Sequence, residues 1–224
     1  YVAYNCGMKL LFLLSSSFLM ASCSLLPPDN QDIADKMQKI EEFTGETEEA
    51  LFAGGCFWCI ESAYEHVEGV ITAVSGFAGG DEKNPSYKEV SSGKTKQIES
   101  VLVVYDPSKV SYSELVEYFW KQIDPTDATG SFADRGHQYT SAIFYFNESQ
   151  KQIAEDSKKA LDESEKYPEP IVTDIREATV FYPAEDYHQD YYKNNPIRYQ
   201  YYRHGSGRDQ YLKEVWKEDT SHGL

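Results

Sequence analysis

The stretch Gly54–Glu61, with the sequence Gly-Gly-Cys-Phe-Trp-Cys-Ile-Glu, constrains the fold more than any other part of the chain. A short apolar run at 50–53 leads into the two glycines, and a helical pattern follows over Phe57–His66. This order predicts a strand, a tight turn and a helix, with Cys56 at the helix N-terminus. Free N–H groups and the positive end of the helix dipole stabilise a thiolate, so we expect a low pKa for the Cys56 thiol.

Several roles compete for the pair formed by Cys56 and Cys59. Buried structural cysteines are common in folded proteins. A zinc site would need a second pair, and the only other cysteines, Cys6 and Cys23, lie in the N-terminal apolar region, so no metal site is predicted. A thioredoxin-like redox motif also places two cysteines in this spacing at a helix start. The pair alone therefore leaves a redox role and a structural role open.

The composition is that of an ordinary folded domain with an acidic surface. The chain has 224 residues, of which 41% are hydrophobic and 14% aromatic, enough to bury a substantial core. Its formal net charge of -16 argues against a nucleic-acid partner, because binding phosphates requires a basic face. The acidic charge identifies no substrate, and we interpret it as a solvated surface.

The N-terminal region is typical of a secretion signal. Met8 and Lys9 precede an apolar run at 10–20 that is too short for a comfortable membrane span. Small residues directly before Cys23 are typical of a bacterial lipoprotein signal, although Met20 stands where Leu is more usual. We therefore predict lipidation of Cys23 and a location in the bacterial cell envelope, facing the periplasm or the exterior. The alternative is an ordinary signal peptide with a chance cysteine.

The remaining patterns predict an α+β two-layer sandwich. β-Branched runs predict strands, a capping box and helical spacing predict helices, and a polar stretch rich in Gly, Asp and Pro predicts a long loop. Because strands and helices alternate, we expect a mixed sheet with helices packed on it. The predicted strands are 50–53, 70–77, 98–105, 139–146 and 172–180, the later helices begin near Ser111 and at Glu148, and the loop is 124–138.

Further motifs, in a consistent order, carry a resemblance to a known family. They are Gly-Phe-Ala-Gly-Gly at 76–80 with Asn-Pro-Ser-Tyr at 84–87, Glu99 before a Val-x-Val-x-Tyr-Asp-Pro strand, Asp-Arg-Gly-His-Gln-Tyr at 134–139, and the segments 184–189 and 193–196. Together with Gly-Cys-Phe-Trp-Cys they resemble the A-type methionine sulfoxide reductases, the peptide-methionine (S)-S-oxide reductases. The resemblance covers about 49–199 and implies a mixed sheet flanked by helices with ferredoxin-like connections.

The resemblance implies a site in which a thiolate attacks the sulfoxide sulfur while an acid and hydroxyl groups act on the oxygen. No cofactor is needed. The residues that the resemblance assigns are Cys56 as nucleophile, Glu99 as acid, Tyr87 and Tyr139 as donors to the oxygen, Phe57 and Trp58 as an apolar wall for the methyl group, and Asp134 as a helper that orients the loop or a water. At three positions, Gln97, Ala133 and Thr140, the residue differs from the one usual in the family. These residues support the site rather than carry its chemistry.

Cys59 bears on how the oxidised nucleophile is restored. Many family members have Gly at this position and use distal C-terminal cysteines, which this chain lacks. Cys59 is then the resolving thiol that forms a disulfide with Cys56, and thioredoxin or a thioredoxin-like protein is the implied reductant. The alternative is that Cys59 is a packed core residue and an external thiol acts directly. We expect a monomer that repairs methionine sulfoxide, free or in proteins, with preference for the (S)-epimer.

The predicted organisation is a signal segment at 1–23, a polar tether at 24–48, the reductase domain at 49–200 and an extension at 201–224. Two other functions remain open at this point. One is a general thiol–disulfide oxidoreductase that uses Cys56 and Cys59. The other is a non-catalytic lipoprotein that binds envelope partners through its tyrosine-rich end, Tyr187–Tyr211.

Overall fold

The computed structural model describes residues 31–217. The helices are α1 (Gln31–Glu42), α2 (Phe57–Glu65), α3 (Tyr87–Ser91), α4 (Tyr112–Trp120), α5 (Glu148–Glu163), α6 (Tyr191–Asn194), α7 (Pro196–Gly205) and α8 (Arg208–Trp216). The strands are β1 (Glu48–Gly54), β2 (Val70–Ala78), β3 (Ile98–Tyr105), β4 (Gly130–Ser131), β5 (Asp134–Arg135), β6 (Ser141–Tyr145), β7 (Asp174–Glu177) and β8 (Tyr182–Pro183). Two single 3-10 turns lie at His137–Tyr139 and Asp186–His188.

A six-stranded mixed sheet in the order β7-β6-β1-β3-β2-β8 forms the centre of the fold. β1 and β2 both pair antiparallel with β3, which lies between them, so the crossover through α2 joins two parallel strands. β6 pairs antiparallel with the other edge of β1 and parallel with β7. The order β6-β1-β3-β2 with α2 and α4 as crossovers is the ferredoxin-like arrangement. The predicted α+β fold is confirmed.

Alternation along β1 divides the core between the two faces of the sheet. Phe52 packs with α2 and α4 on one face, where its ring stacks on Tyr64 and Phe119 at 5.0 and 5.1 Å between centroids. Leu51 belongs to the cluster on the opposite face, together with Phe144. Successive strand residues point to opposite faces, so a central strand covered on both sides must be apolar throughout. β1 therefore ends inside the protein, and it delivers the following turn to a buried position.

The structure differs from the sequence prediction in the loops. The segment after β2 contains the short helix α3, which is held by a capping box between Ser86 and Glu89. The predicted long loop 124–138 contains the hairpin of β4 and β5. The predicted last strand 172–180 is shorter, and β8 follows it at the other edge of the sheet, paired with β2.

The predicted polar tether 24–48 is wrong where the structure describes it, because residues 31–42 form helix α1. Lys36 on this helix is fully buried. Its Nζ lies 3.1 Å from Glu61, 2.6 Å from Glu65 and 3.2 Å from Asp190, and it donates to the Ala73 carbonyl at 2.7 Å. The polar composition suggested a solvated linker, but this helix docks through the buried ammonium of Lys36 together with the partly buried side chains of Ile33, Met37 and Ile40.

The C-terminal end is also part of the domain. The predicted boundary at residue 200 falls inside α7, and α8 follows with Arg208 and Leu212 almost completely buried. Tyr199 and Tyr202 of α7 pack against the cysteine pair, so this end covers the site. Within 31–217, no helix combines the length and the apolar character needed to cross a bilayer. Cys23 and the predicted signal segment lie outside the described residues.

Replacing Lys36 with Met tests the role of α1. Glu61 would stay fully buried without its cation, whereas Glu65 and Asp190 keep the ammonium of Lys193, so the free energy of unfolding should fall by about 3–5 kcal/mol at neutral pH. Burial already raises the pKa of Glu61 to about 7, and loss of Lys36 would raise it further, so the variant should become less stable as the pH rises from about 5 to about 8. Urea titrations at both pH values measure this effect. Lys39→Met, at an exposed position of the same helix, is the control, and equal losses from both substitutions would contradict the assignment.

Candidate active site

The N-terminus of α2 opens into a cavity of about 180 Å³ that collects side chains from the sheet, α3, the 134–139 segment and α7. All of the predicted catalytic and substrate-binding residues except Cys59 line it, and Tyr202 joins them. The lining residues are Cys56, Phe57, Trp58, Tyr87, Glu99, Asp134, Tyr139 and Tyr202. Cys59 lies behind Cys56 on the first turn of α2. Segments far apart in the sequence thus meet around one sulfur atom.

The glycine turn before Cys56 explains how the sulfur reaches this position. Gly55 has φ of +82°, a conformation that residues with a side chain rarely adopt. A Cβ atom at Gly55 would lie 2.3 Å from the Cβ of Ser131, so only glycine lets β4 approach the turn. Cys56 is the N-cap residue of α2 and is 5% exposed. The turn therefore places the thiol at the buried end of the helix.

Glu99 of β3 faces this helix end. Its carboxyl group is 2% exposed, and Oε2 accepts a hydrogen bond from the Phe57 backbone N–H at 3.0 Å. Burial raises the pKa of Glu99 well above its ordinary value, despite the opposing effect of that hydrogen bond. Burial thus favours the acid form of Glu99, which can deliver a proton into the cavity.

The expected low pKa of the Cys56 thiol is wrong. Burial raises the pKa of Cys56 well above the ordinary thiol value, and the neighbouring Cys59, Glu99 and Asp134 add to the effect. The helix terminus does not compensate, because the Phe57 N–H donates to Glu99 and the Cys56 side chain makes no capping hydrogen bond. In the resting protein Cys56 therefore carries its proton.

Cys59 has the opposite tendency. It is 1% exposed, and both cysteines are free thiols. A hydrogen bond from Cys56, followed by the positive charges of Arg208 and Arg203, lowers the pKa of Cys59 against the effect of burial. The two buried thiols lie in one cluster and titrate as a pair, and of the two Cys59 is the sulfur that ionises more readily.

The apolar wall of the cavity is an aromatic cluster fixed by one histidine. The Trp58 ring stacks on Tyr191 with 3.8 Å between centroids, and Trp58 Nε1 donates to His188 Nδ1 at 3.2 Å. Burial lowers the pKa of His188 to about 4, so the imidazole is neutral and its Nδ1 accepts. Its ring also lies 4.1 Å from that of Tyr87. Sequence reasoning placed His188 only in a matching motif and gave it no role.

Hydroxyl groups line the rest of the cavity. Tyr87 and Tyr139 both line it, and burial raises the pKa of each, so both keep their protons. Asp134 accepts a short hydrogen bond from the Tyr202 hydroxyl. Burial raises the pKa of Asp134, although that hydrogen bond opposes the shift. Tyr202 was missed because it lies beyond the predicted domain boundary, and its only signal was the tyrosine-rich end.

One departure from the family pattern has a clear structural place. Gln97 is fully buried, its Nε2 donates to the Glu82 carbonyl at 2.8 Å, and its Oε1 accepts from the Gly80 N–H at 3.3 Å. It braces the loop before α3.

No metal site was predicted at the cysteine pair. Among residues 31–217, the carboxylates that lie close enough together to hold an ion are at a different place in the protein, and they are Glu61, Glu65 and Asp190. The ammonium of Lys36 lies against all three of these side chains.

Comparisons with known proteins agree with this geometry. A family model described as peptide methionine sulfoxide reductase matches residues 48–220. The peptide methionine sulfoxide reductase MsrA of Bacillus velezensis is 53% identical over 169 residues, which cover 75% of this chain and 96% of that protein. The MsrA/MsrB protein of Vibrio cholerae is 49% identical over 186 residues, which cover 83% of this chain and 49% of that protein. This chain thus spans about half of the Vibrio cholerae protein's length.

A solved structure gives the same result for the fold. Methionine sulfoxide reductase A of Corynebacterium diphtheriae has a TM-score of 0.62 and 35% sequence identity to this chain. The match covers 70% of this chain and 78% of the other. The family match spans well over half of the sequence and includes the helices that close the cavity. The chain belongs to the family of peptide methionine sulfoxide reductases.

Proposed function

We propose that the chain reduces methionine sulfoxide, free or in proteins, to methionine, with preference for the (S)-epimer, and so repairs oxidised proteins. The observation that carries this function is a buried thiol and a protonated carboxyl group, Cys56 and Glu99, at one small cavity with an aromatic wall. At about 180 Å³ the cavity fits a single side chain rather than a large ligand. A sulfoxide offers the matching groups, because it has an apolar methyl, an electrophilic sulfur and a basic oxygen.

The first step follows from the positions of these groups. With the methyl group against Phe57 and Trp58, the sulfoxide oxygen would face Glu99 and the tyrosine hydroxyls. The Cys56 sulfur attacks the sulfoxide sulfur while Glu99 protonates the oxygen, so no free oxyanion has to form in an apolar site. The attack forms a bond between the two sulfurs. The oxygen then passes to Cys56 as a sulfenic acid while the substrate's sulfur–oxygen bond and the new sulfur–sulfur bond break, methionine leaves, and the proton of the Cys56 thiol replaces the one that Glu99 gave. The sulfoxide gains the two electrons that Cys56 loses.

The competing hypothesis of a general thiol–disulfide oxidoreductase fits the site less well. Exchange with protein disulfides requires an accessible, low-pKa thiolate as the attacking group. Here Cys56 is 5% exposed and its pKa is raised. The tyrosine-rich end, which the third hypothesis treated as a docking surface, supplies Tyr191, Tyr199 and Tyr202 to the site instead. Both observations favour sulfoxide chemistry.

Separate assays of the two epimers of methionine sulfoxide, with dithiothreitol as reductant, test this proposal. The full chain should reduce the (S)-epimer, and Cys56→Ser should abolish the reaction because a hydroxyl is a poor nucleophile at neutral pH. Glu99→Gln should lower kcat by about 10²–10⁴-fold because its amide cannot deliver a proton. An insulin-reduction assay is the control for disulfide exchange. Activity on insulin without activity on either sulfoxide would contradict the proposal.

We propose further that Cys59 resolves the sulfenic acid. It packs with Cys56 in one buried cluster, and within the described residues there is no third cysteine. Residues three apart in the first turn of a helix share one face, and a small local unwinding brings them to disulfide geometry. The disulfide would then be reduced by thioredoxin or a thioredoxin-like dithiol protein. The family membership of the chain supports this order of events.

Cys59→Ser separates the two half-reactions. The variant should still release one methionine per molecule but should not turn over with thioredoxin as reductant, because no disulfide forms. Mass spectrometry after a single turnover should show a disulfide between Cys56 and Cys59 in the unmodified protein and a sulfenic acid in the variant. A sulfenic acid that accumulates on Cys56 of the unmodified protein, with Cys59 still free, would show that an external thiol resolves it.

We propose finally that the protein is a monomer anchored to the bacterial envelope through lipidated Cys23. The support is the sequence alone, an apolar run followed by small residues and a cysteine. A protein that faces an oxidising compartment lies outside the cytosolic thioredoxin pool, so its reductant would be a periplasmic thioredoxin-like protein or a membrane relay.

The anchor has a direct test in the native host. The mature protein should begin at Cys23, carry the mass of acyl chains and partition into the detergent phase, whereas Cys23→Ser should stay in the aqueous phase. Sedimentation of the detergent-solubilised protein should give one chain per particle. An unmodified N-terminus at another residue would contradict the anchor and leave the enzymatic assignment intact.

A further inference from the structure

Helix α1 lies outside the residues that the family model matches, which begin at residue 48, yet it docks beside the candidate site. It contacts β2 and the 3-10 turn at Asp186–His188. The Ile33 backbone N–H donates to the Asp186 carboxylate at 3.0 Å, and the Asn194 side-chain amide donates to Asp32 at 2.9 Å. The first turn of α1 is thus bonded to both ends of the segment 186–194.

Lys36 holds the same segment from a position further along α1. Its fully buried ammonium lies 3.2 Å from Asp190, and the backbone N–H of Asp190 donates to Glu61 of α2 at 3.2 Å. Asp190 has φ of +49°, a left-handed conformation that few residues with a side chain adopt. The backbone at this position is therefore fixed by contacts to α1 and α2.

The segment 186–194 carries two of the residues that fix the Trp58 ring. His188 Nδ1 accepts from Trp58 Nε1 at 3.2 Å, and the Tyr191 ring stacks on the indole with 3.8 Å between centroids. His188 stands two residues before Asp190, and Tyr191 follows Asp190 directly. A movement of the backbone at Asp190 would therefore move both supports of the indole.

We propose that α1 is a positioning element that orients Trp58 as the wall for the methyl group of the substrate. It acts through Lys36 and the Ile33 N–H, which hold the segment that supports the indole. This inference rests on the proposed function. No residue of α1 lines the cavity, and Glu99 is joined to the N-terminus of α2 by a separate hydrogen bond. The contacts of α1 should therefore control how tightly the sulfoxide binds more than how fast the bound sulfoxide reacts.

The size of the effect follows from the contacts that would remain. Gln189 also fixes the segment, because its side chain accepts from the Ser75 N–H at 3.0 Å and donates to the Ser75 carbonyl at 2.9 Å. Loss of the α1 contacts should thus loosen the segment without releasing it. One missing methylene in a hydrophobic pocket costs about 10–200-fold, so a displaced indole should weaken sulfoxide binding by about tenfold.

Lys36→Met tests this role in single turnovers without reductant, with methionine release measured against the concentration of the (S)-epimer. The half-saturating concentration should rise by about tenfold, whereas the rate constant at saturation should be nearly unchanged. A smaller folded fraction would lower the amount of methionine released but not the half-saturating concentration. Leu161→Ala, a buried position of α5, is the control for lost stability, and Lys39→Met on α1 is the control for lost charge.

The indole N–H signals of the three tryptophans in the nuclear magnetic resonance spectrum give a readout that needs no activity. The Trp58 signal is assigned by its loss in Trp58→Phe. In Lys36→Met this signal should shift, and its N–H should exchange with solvent faster, because the bond to His188 is weakened. The Trp120 N–H donates to Ser157 at 2.8 Å between α4 and α5, so its signal should be unchanged.

Asp186→Ala gives a second variant in case the loss of Lys36 prevents folding. It removes the acceptor of the Ile33 N–H and leaves the contacts of Lys36 in place. It should shift the Trp58 signal and raise the half-saturating concentration by a smaller factor.

A Trp58 signal that stays unchanged, or a half-saturating concentration that rises no more than in Leu161→Ala, would overturn the inference. Failure of the unmodified protein to reduce either epimer would instead overturn the proposed function, and the indole signals would still decide whether α1 orients Trp58.

Discussion

The hydrogen bond between the Phe57 N–H and the Glu99 carboxyl group determines most of the site. It joins β3 to the N-terminus of α2, with 3.0 Å between nitrogen and oxygen in a region closed to solvent. It takes the helix donor that would otherwise stabilise a thiolate on Cys56. The acid is thereby fixed beside the nucleophile, and the nucleophile remains a thiol until a substrate arrives. Burial of both groups is the common cause, because it disfavours each charged form.

Three neighbouring groups of the site thus differ in how readily they lose a proton. Glu99 keeps a proton to give to the sulfoxide oxygen, Cys56 keeps its proton in the resting protein, and Cys59 is the sulfur that loses its proton most readily. A protonated Cys56 resists oxidation by small oxidants, since thiolates are the reactive form. In the proposed reaction, the sulfoxide oxygen of the substrate accepts the proton of Glu99. The methyl group of the substrate would then lie against the aromatic wall, in which His188 orients Trp58.

Local patterns were sufficient for much of the fold. Apolar alternation and the glycine pair predicted β1, the turn and α2, and the capping box at Ser111 marked the start of α4. The cavity-lining residues other than Tyr202 came from the resemblance of spaced motifs to a family. Interactions between distant segments were not predictable: Lys36 docks α1 through charge, and Arg208 contacts a turn about 150 residues earlier in the chain. The pKa order of the cysteines depends on such contacts, so helix position alone gave the wrong sign for Cys56.

The central claim is that Glu99 is a protonated acid in the resting enzyme, and infrared difference spectroscopy tests it directly. The spectrum of the full chain without substrate is measured at neutral pH, and that of Glu99→Gln is subtracted. The account predicts the carbonyl stretch of a buried carboxylic acid in the unmodified protein at neutral pH, and its absence from the variant. A difference spectrum that contains only the bands of an ionised carboxylate would contradict the account.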